Sequence, residues 1–259
     1  MTTAMDDSDF MASDGMPMAD QADGLRRLFP ASRTRFIAVA ANPDVAFAGV
    51  ALERLAAVCD SADRKVLVVD AARGAPHEMA VVDLATGIEP LGANLSYLGA
   101  RGLPMRFVNT RGSCEGFLDA LLDAAPDAGV VIVHADASEL GRMFARRAAR
   151  PLLLAADHPA SVTNAYANMK LLSQRHGLMA FDLLLVAAAG SPRTQRIAEQ
   201  LALTADRFAG AALHDWAAVD PAAQGQWPTA LLRLARGLLI QHPGTWLPGM
   251  AADAARAGR

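Results

Sequence analysis

Short, unbroken apolar runs recur along the chain with room for one helix between most neighbours, and this alternation restricts the available folds more than any other feature. Residues 36–40, 66–69, 95–98, 130–133, 152–156 and 183–188 are strand-length and lack the polar alternation of a strand with one wet face. Each is therefore expected to be covered on both faces. Helical stretches are predicted over 45–59, 115–124, 138–150, 162–175 and 192–208, with residues 210–214 as a short last strand. Strand and helix in this order imply an α/β fold, a mostly parallel central sheet with helices on both faces and right-handed crossovers.

The 259 residues are 53% hydrophobic and 20% charged, enough for one large core. We expect a single α/β domain over 35–241, preceded by a disordered acidic segment (1–19) and a short helix (20–29), and followed by a flexible tail (242–259). A net charge of -3 speaks against a general nucleic-acid binder. Only Cys59 and Cys114 are present, so no disulfide framework is indicated and a reducing cytoplasm is the expected compartment. The first nineteen residues lack the basic start and long apolar centre of an export signal. The apolar runs are far shorter than the roughly 20 residues needed to cross a bilayer.

In a parallel sheet of this kind the ligand crevice lies at the carboxyl ends of the strands. The polar residues expected there are Asn42, Asp44, Asp70, His134, Asp136, Asp157, His158 and Ser191. The loop after the first strand, residues 41–50, occupies the place of a phosphate loop. Such a loop uses glycines to turn backbone N–H groups toward phosphate, a lysine to neutralise it and a hydroxyl for magnesium. This one reads Ala41-Asn42-Pro43-Asp44-Val45-Ala46-Phe47-Ala48-Gly49-Val50. Asp70, His134, Asp136 and Asp157 are candidates to converge, but neither a nucleophile nor a metal-ligand spacing accompanies them, so neither catalysis nor a metal site is expected.

Several segments resemble the MinD/ParA group of deviant P-loop ATPases, and within it the flagellar number regulators FlhG, also called FleN. The resemblance rests on Lys65-Val66-Leu67-Val68-Val69-Asp70-Ala71, on the proline-containing loop and Thr163-x-Ala165-Tyr166-x-x-x-Lys170 helix, and on the helix over 194–208. Its most discriminating part is Asp20-Gln21-Ala22-Asp23-Gly24-Leu25-Arg26-Arg27-Leu28. The resemblance implies a helix that binds and activates the signal-recognition-type GTPase FlhF, with Asp20 and Gln21 as polar contacts, Leu25 as apolar anchor and Arg26 and Arg27 as charged contacts. It also implies where a nucleotide would have been held. In this sequence Asn42 and Phe47 stand at the two lysine positions and Ala48 at the magnesium-binding threonine. Asp44 adds a negative charge, and Asp70 alone keeps the pattern.

The expectation is a pseudo-ATPase with no cofactor that regulates flagellar biosynthesis through FlhF, with a flagellar switch component or transcription regulator as a further partner. An active MinD-like ATPase switch that binds ATP, magnesium and membrane is the alternative, and a structural scaffold in another surface machine is the third. Leu231, Leu234 and Leu238 share one helical face, which serves either to cover the sheet or to touch a membrane peripherally. Arg142, Arg146, Arg147 and Arg150 are expected to form a solvated stripe on one helix.

Overall fold

The computed structural model describes residues 34–61, 64–75, 83–188, 190–223 and 225–240. The expected segments 1–19, 20–29 and 242–259 lie outside the described residues. Eight strands form one sheet: β1 (Arg35–Ala40), β2 (Val66–Asp70), β3 (Glu89–Pro90), β4 (Leu95–Gly99), β5 (Val130–Ala135), β6 (Leu152–Ala156), β7 (Ala180–Val186) and β8 (Ala212–Val219). The helices are α1 (Ala48–Asp60), α2 (Glu115–Ala124), α3 (Ala137–Met143), α4 (Pro159–His176), α5 (Arg193–Thr204) and α6 (Thr229–Ile240). The sheet order is β3-β4-β2-β5-β1-β6-β7-β8, parallel except for the two-residue edge strand β3.

Successive strand residues point to opposite faces, so a strand covered on both sides must be apolar throughout. Leu67, Val69, Val131, Val133, Leu153 and Leu185 pack toward α2, α3, α4 and α5. Their neighbours Val66, Val68, Ile132, Leu154 and Leu184 pack toward α1 and α6. On α6, Leu231, Leu234 and Leu238 are 0%, 0% and 2% exposed. The apolar face that offered either packing or membrane contact is thus spent inside the core, and Leu231, Leu234 and Leu238 are not available to lipid in this fold.

The helix expected over 138–150 ends at Met143, and Phe144 turns into the core. The arginines therefore do not make a stripe. Arg147 reaches Asp119 at 2.5 Å and lies over the Phe36 ring at 5.3 Å, while Arg150 donates to Asp182 at 2.6 Å. Asp182 is wholly buried within β7, where an unpaired carboxylate would cost several kcal/mol, on the order of the 3–5 lost when a buried pair is broken. The same carboxylate explains why β8 runs further than residue 214. Phe181 pairs with Leu213 and Asp182 with Asp215, leaving His214 as the extra residue of a bulge. Asp182 Oδ1 accepts the Asp215 N–H at 3.1 Å, and Arg233 holds the Asp215 carboxylate through two bonds.

Helices α3 and α4 meet where α3 has no side chain. A Cβ on Gly141 would fall 2.1 Å from Cδ2 of His176. Gly141→Ala must expel the imidazole and is expected to lower stability by about 1–3 kcal/mol in urea denaturation.

His176 is held below the ordinary imidazole value by burial first and by Arg142 and Arg175 second. A lowered folded-state value means the unfolded chain takes up the proton first as pH falls. This contribution is complete above about pH 6.5, declines below it, and is gone once the pH has passed through the lowered folded value. Urea midpoints measured from pH 7.5 to 5 should fall for the wild type and fall less for His176→Gln.

Candidate functional site

The carboxyl ends of β1, β2 and β5 and the start of α1 enclose a cleft of about 710 Å³, lined by residues that include Asn42, Asp70, His134, Asp136, Asn164 and Asn168. Its shape is set by the loop after β1. Asn42 is 3% exposed, and its side-chain amide bonds into the protein. The amide donates to Leu154 O at 2.8 Å and Ser161 O at 2.9 Å, while its Oδ1 accepts the Asp44 N–H at 3.1 Å. Ser161, itself fully buried in the first turn of α4, accepts the Ala156 N–H at 2.7 Å. One asparagine thereby ties the loop to β6 and α4.

Two more α4 contacts hold the same loop. Asn168 Nδ2 donates to Ala41 O at 2.8 Å and to Asn164 Oδ1 at 3.2 Å. His158, the residue before the first turn of α4, donates from Nε2 to Asp44 O at 2.8 Å. A carbonyl only accepts, so Nε2 carries the proton. Pro159 at the first helical position gives up no needed donor.

Between Asn42 and Ala48 the backbone makes two consecutive tight turns, Val45 N–H to Asn42 O at 3.0 Å and Ala48 N–H to Val45 O at 3.3 Å. Pro43 has no N–H, and the donors of Asp44, Val45 and Ala48 are engaged within the loop. Phe47 precedes α1 with 55% of its surface exposed. Ala48 opens the helix and contributes a methyl group to the cleft wall.

Of the four candidates for a convergent cluster, the structure brings together three. His134 Nδ1 donates to Asp70 Oδ1 at 2.9 Å, and Asp70 Oδ1 also accepts the Ala72 N–H at 3.2 Å. Asp136 lines the same cleft and pairs with Arg73 at 2.5 Å. Asp157 does not join them, since Ser191 donates to it at 3.2 Å beyond the end of β6. Among the described residues no three His, Cys, Asp or Glu groups are placed to hold a metal ion. Glu139, on α3 beside this cleft, has its carboxyl pushed up by burial and then by Asp136. Both cysteines are buried, and burial pushes the Cys59 thiol up to about 12.

Asn42 lines the cleft as the sequence predicts, while Asn164, Asn168 and Ser161 are site residues that the sequence analysis does not name. All four sit in or against α4, and their signal was present: polar residues at helical spacing on a face that must meet the strand ends. A second cavity of about 250 Å³ lies beyond β7 and β8, lined by Arg54, Ala188, Thr194, Asp220 and Trp227, among others. Among the described residues no helix is long and apolar enough to cross a membrane.

The same fold is found in MinD and ParA ATPases of known structure. MinD from Aquifex aeolicus superposes with a TM-score of 0.53 at 11% identity, over 80% of this chain and 98% of that one. A ParA family ATPase from Chlorobium tepidum gives 0.52 at 15% identity, over 80% and 99%. Cobyrinic acid a,c-diamide synthase from Mycobacterium smegmatis gives 0.52 at 18% identity, over 80% and 94%. These identities carry the fold alone.

At the level of sequence, the chain is similar to the antiactivator FleN of Pseudomonas aeruginosa, 33% identical over 101 residues. That stretch is 38% of this chain, and the match spans about a third (36%) of the relative's length. No family model matches the chain.

The geometry yields a stability test of the loop anchor. Asn42→Asp keeps the shape but aims an acceptor at Leu154 O and Ser161 O, so a loss of at least about 2 kcal/mol is expected in chemical denaturation.

Proposed function

We propose that this chain is a regulator of the FleN kind, acting by contact with another protein, and that its cleft no longer hydrolyses nucleotide. The observation that carries the reading is the loop after β1. It offers no lysine or hydroxyl, one position lacks an N–H, and the amide donors of Asp44, Val45 and Ala48 are occupied within the loop. Charge-assisted contacts are worth about 1.5–3 kcal/mol each, and several are missing together. Asp70, the one residue that keeps the family pattern, is bonded to His134.

The partner proposed is FlhF, through the helix over 20–28. Leu25 anchors it, Arg26 and Arg27 add charge, and Gln21 reaches the partner's GTP site, where a polar side chain can orient the attacking water. The similarity to an antiactivator agrees with a regulatory role, here the number or placement of flagella. The proposed location is the cytoplasm, where that GTPase would be met.

Full-length protein added to FlhF should accelerate GTP hydrolysis, and Gln21→Ala should remove the acceleration while leaving the melting temperature unchanged. No acceleration by the wild type would reject the partner.

A further inference from the structure

The side chains of His134 and Asp70 present hydrogen-bond acceptors within the cleft. His134 is 6% exposed. Its Nδ1–H is committed to Asp70, so Nε2 of the neutral ring is an acceptor. That atom is buried and has no partner among the described residues. Asp70 Oδ1 takes the ring proton and the Ala72 N–H, and Oδ2 makes no hydrogen bond among the described residues. Two nearby side-chain amides are spent elsewhere: that of Asn42 on Leu154 and Ser161, and that of Asn168 on Ala41 and Asn164. Arg73, at the rim, has an 89% exposed side chain and is paired with Asp136.

The remaining walls are apolar, with Val45, Leu52 and Leu171 among them. Acceptors at the base of an apolar cleft fit a charged donor head carried on a hydrocarbon stem. We infer that the cleft binds an alkylguanidinium or alkylammonium group, its head bonded to His134 Nε2 and Asp70 and its stem against Val45, Leu52 and Leu171. This rests on the proposal that no nucleotide occupies the same space. The group is either the lysine or arginine side chain of a partner or a free amine, and the two share this chemistry.

Imidazole nitrogen resonances of the full chain, followed at pH 8, test the assignment. N-acetyl-arginine methylamide is expected to shift His134 saturably, and tetramethylammonium, which has no N–H to donate, is expected to leave it unchanged. Putrescine binding as tightly as the arginine derivative assigns a free amine; weaker putrescine binding assigns a side chain.

Asp70→Asn should weaken binding about tenfold. Arg73→Ala, at an exposed position that does not endanger folding, should tighten it about two- to fivefold by freeing Asp136. Failure of both amines to shift His134, or an equal response to tetramethylammonium, overturns the inference. If the amines fail and ATP with magnesium shifts both His134 and the Asp44–Ala48 amides, the proposed loss of nucleotide binding falls as well. If the amines and ATP are both silent, only the inference falls.

Discussion

The side chain of Asn42 governs this site. Its amide donates to two buried carbonyls, one on β6 and one in the first turn of α4, and its oxygen caps the Asp44 N–H. Such bonds lie away from water, where an unmade partner is expensive. The loop is therefore drawn down onto α4, and its own amides close into two tight turns. From that single anchoring follow the burial of Asn42, the occupied donors of the loop, and a cleft whose floor is left to Asp70 and His134.

The rest of the fold serves to hold those strand ends in register. Both faces of the sheet are dry, so β1, β2 and β5 have no freedom to slip without moving apolar side chains from one core to the other. Near the start of β7, Asp182 and Arg150 form a buried pair beside the β8 bulge. It fixes where β7 and β8 meet and diverts Arg150 away from α3. The α3–α4 contact at Gly141 brings α4 close, and α4 supplies Ser161, Asn164 and Asn168 around the loop. Loop, helix and sheet are one polar unit embedded in an apolar one.

Much of the fold was legible because a doubly covered strand must be apolar throughout. The runs at 36–40, 66–69, 130–133 and 152–156 lie within or coincide with β1, β2, β5 and β6. Where polar residues are built into strands, the pattern failed. Asp182 hid the start of β7, and His214 and Asp215 hid most of β8, because a buried ion pair and a bulge follow tertiary partners and not periodicity. The end of α3 was missed for the same reason, since Arg147 and Arg150 seek carboxylates distant in sequence.

At the site, the sequence shows that residues 41–50 hold no lysine or hydroxyl and that Asp70 follows an apolar run. It did not reveal that the Asn42 amide bonds into the protein, because an asparagine's direction depends on tertiary acceptors such as Leu154 O and Ser161 O. Nor did it separate Asp157 from the cluster, since three residues reaching one cleft from the ends of β2 and β5 and a fourth diverted to Ser191 have the same kind of apolar run before them.

The proposed loss of nucleotide chemistry is tested most directly by calorimetric titration of the full chain with ATP and magnesium. The expected result is no saturable heat, with turnover no faster than in buffer. A micromolar dissociation constant accompanied by hydrolysis would contradict it and restore the reading of an active switch.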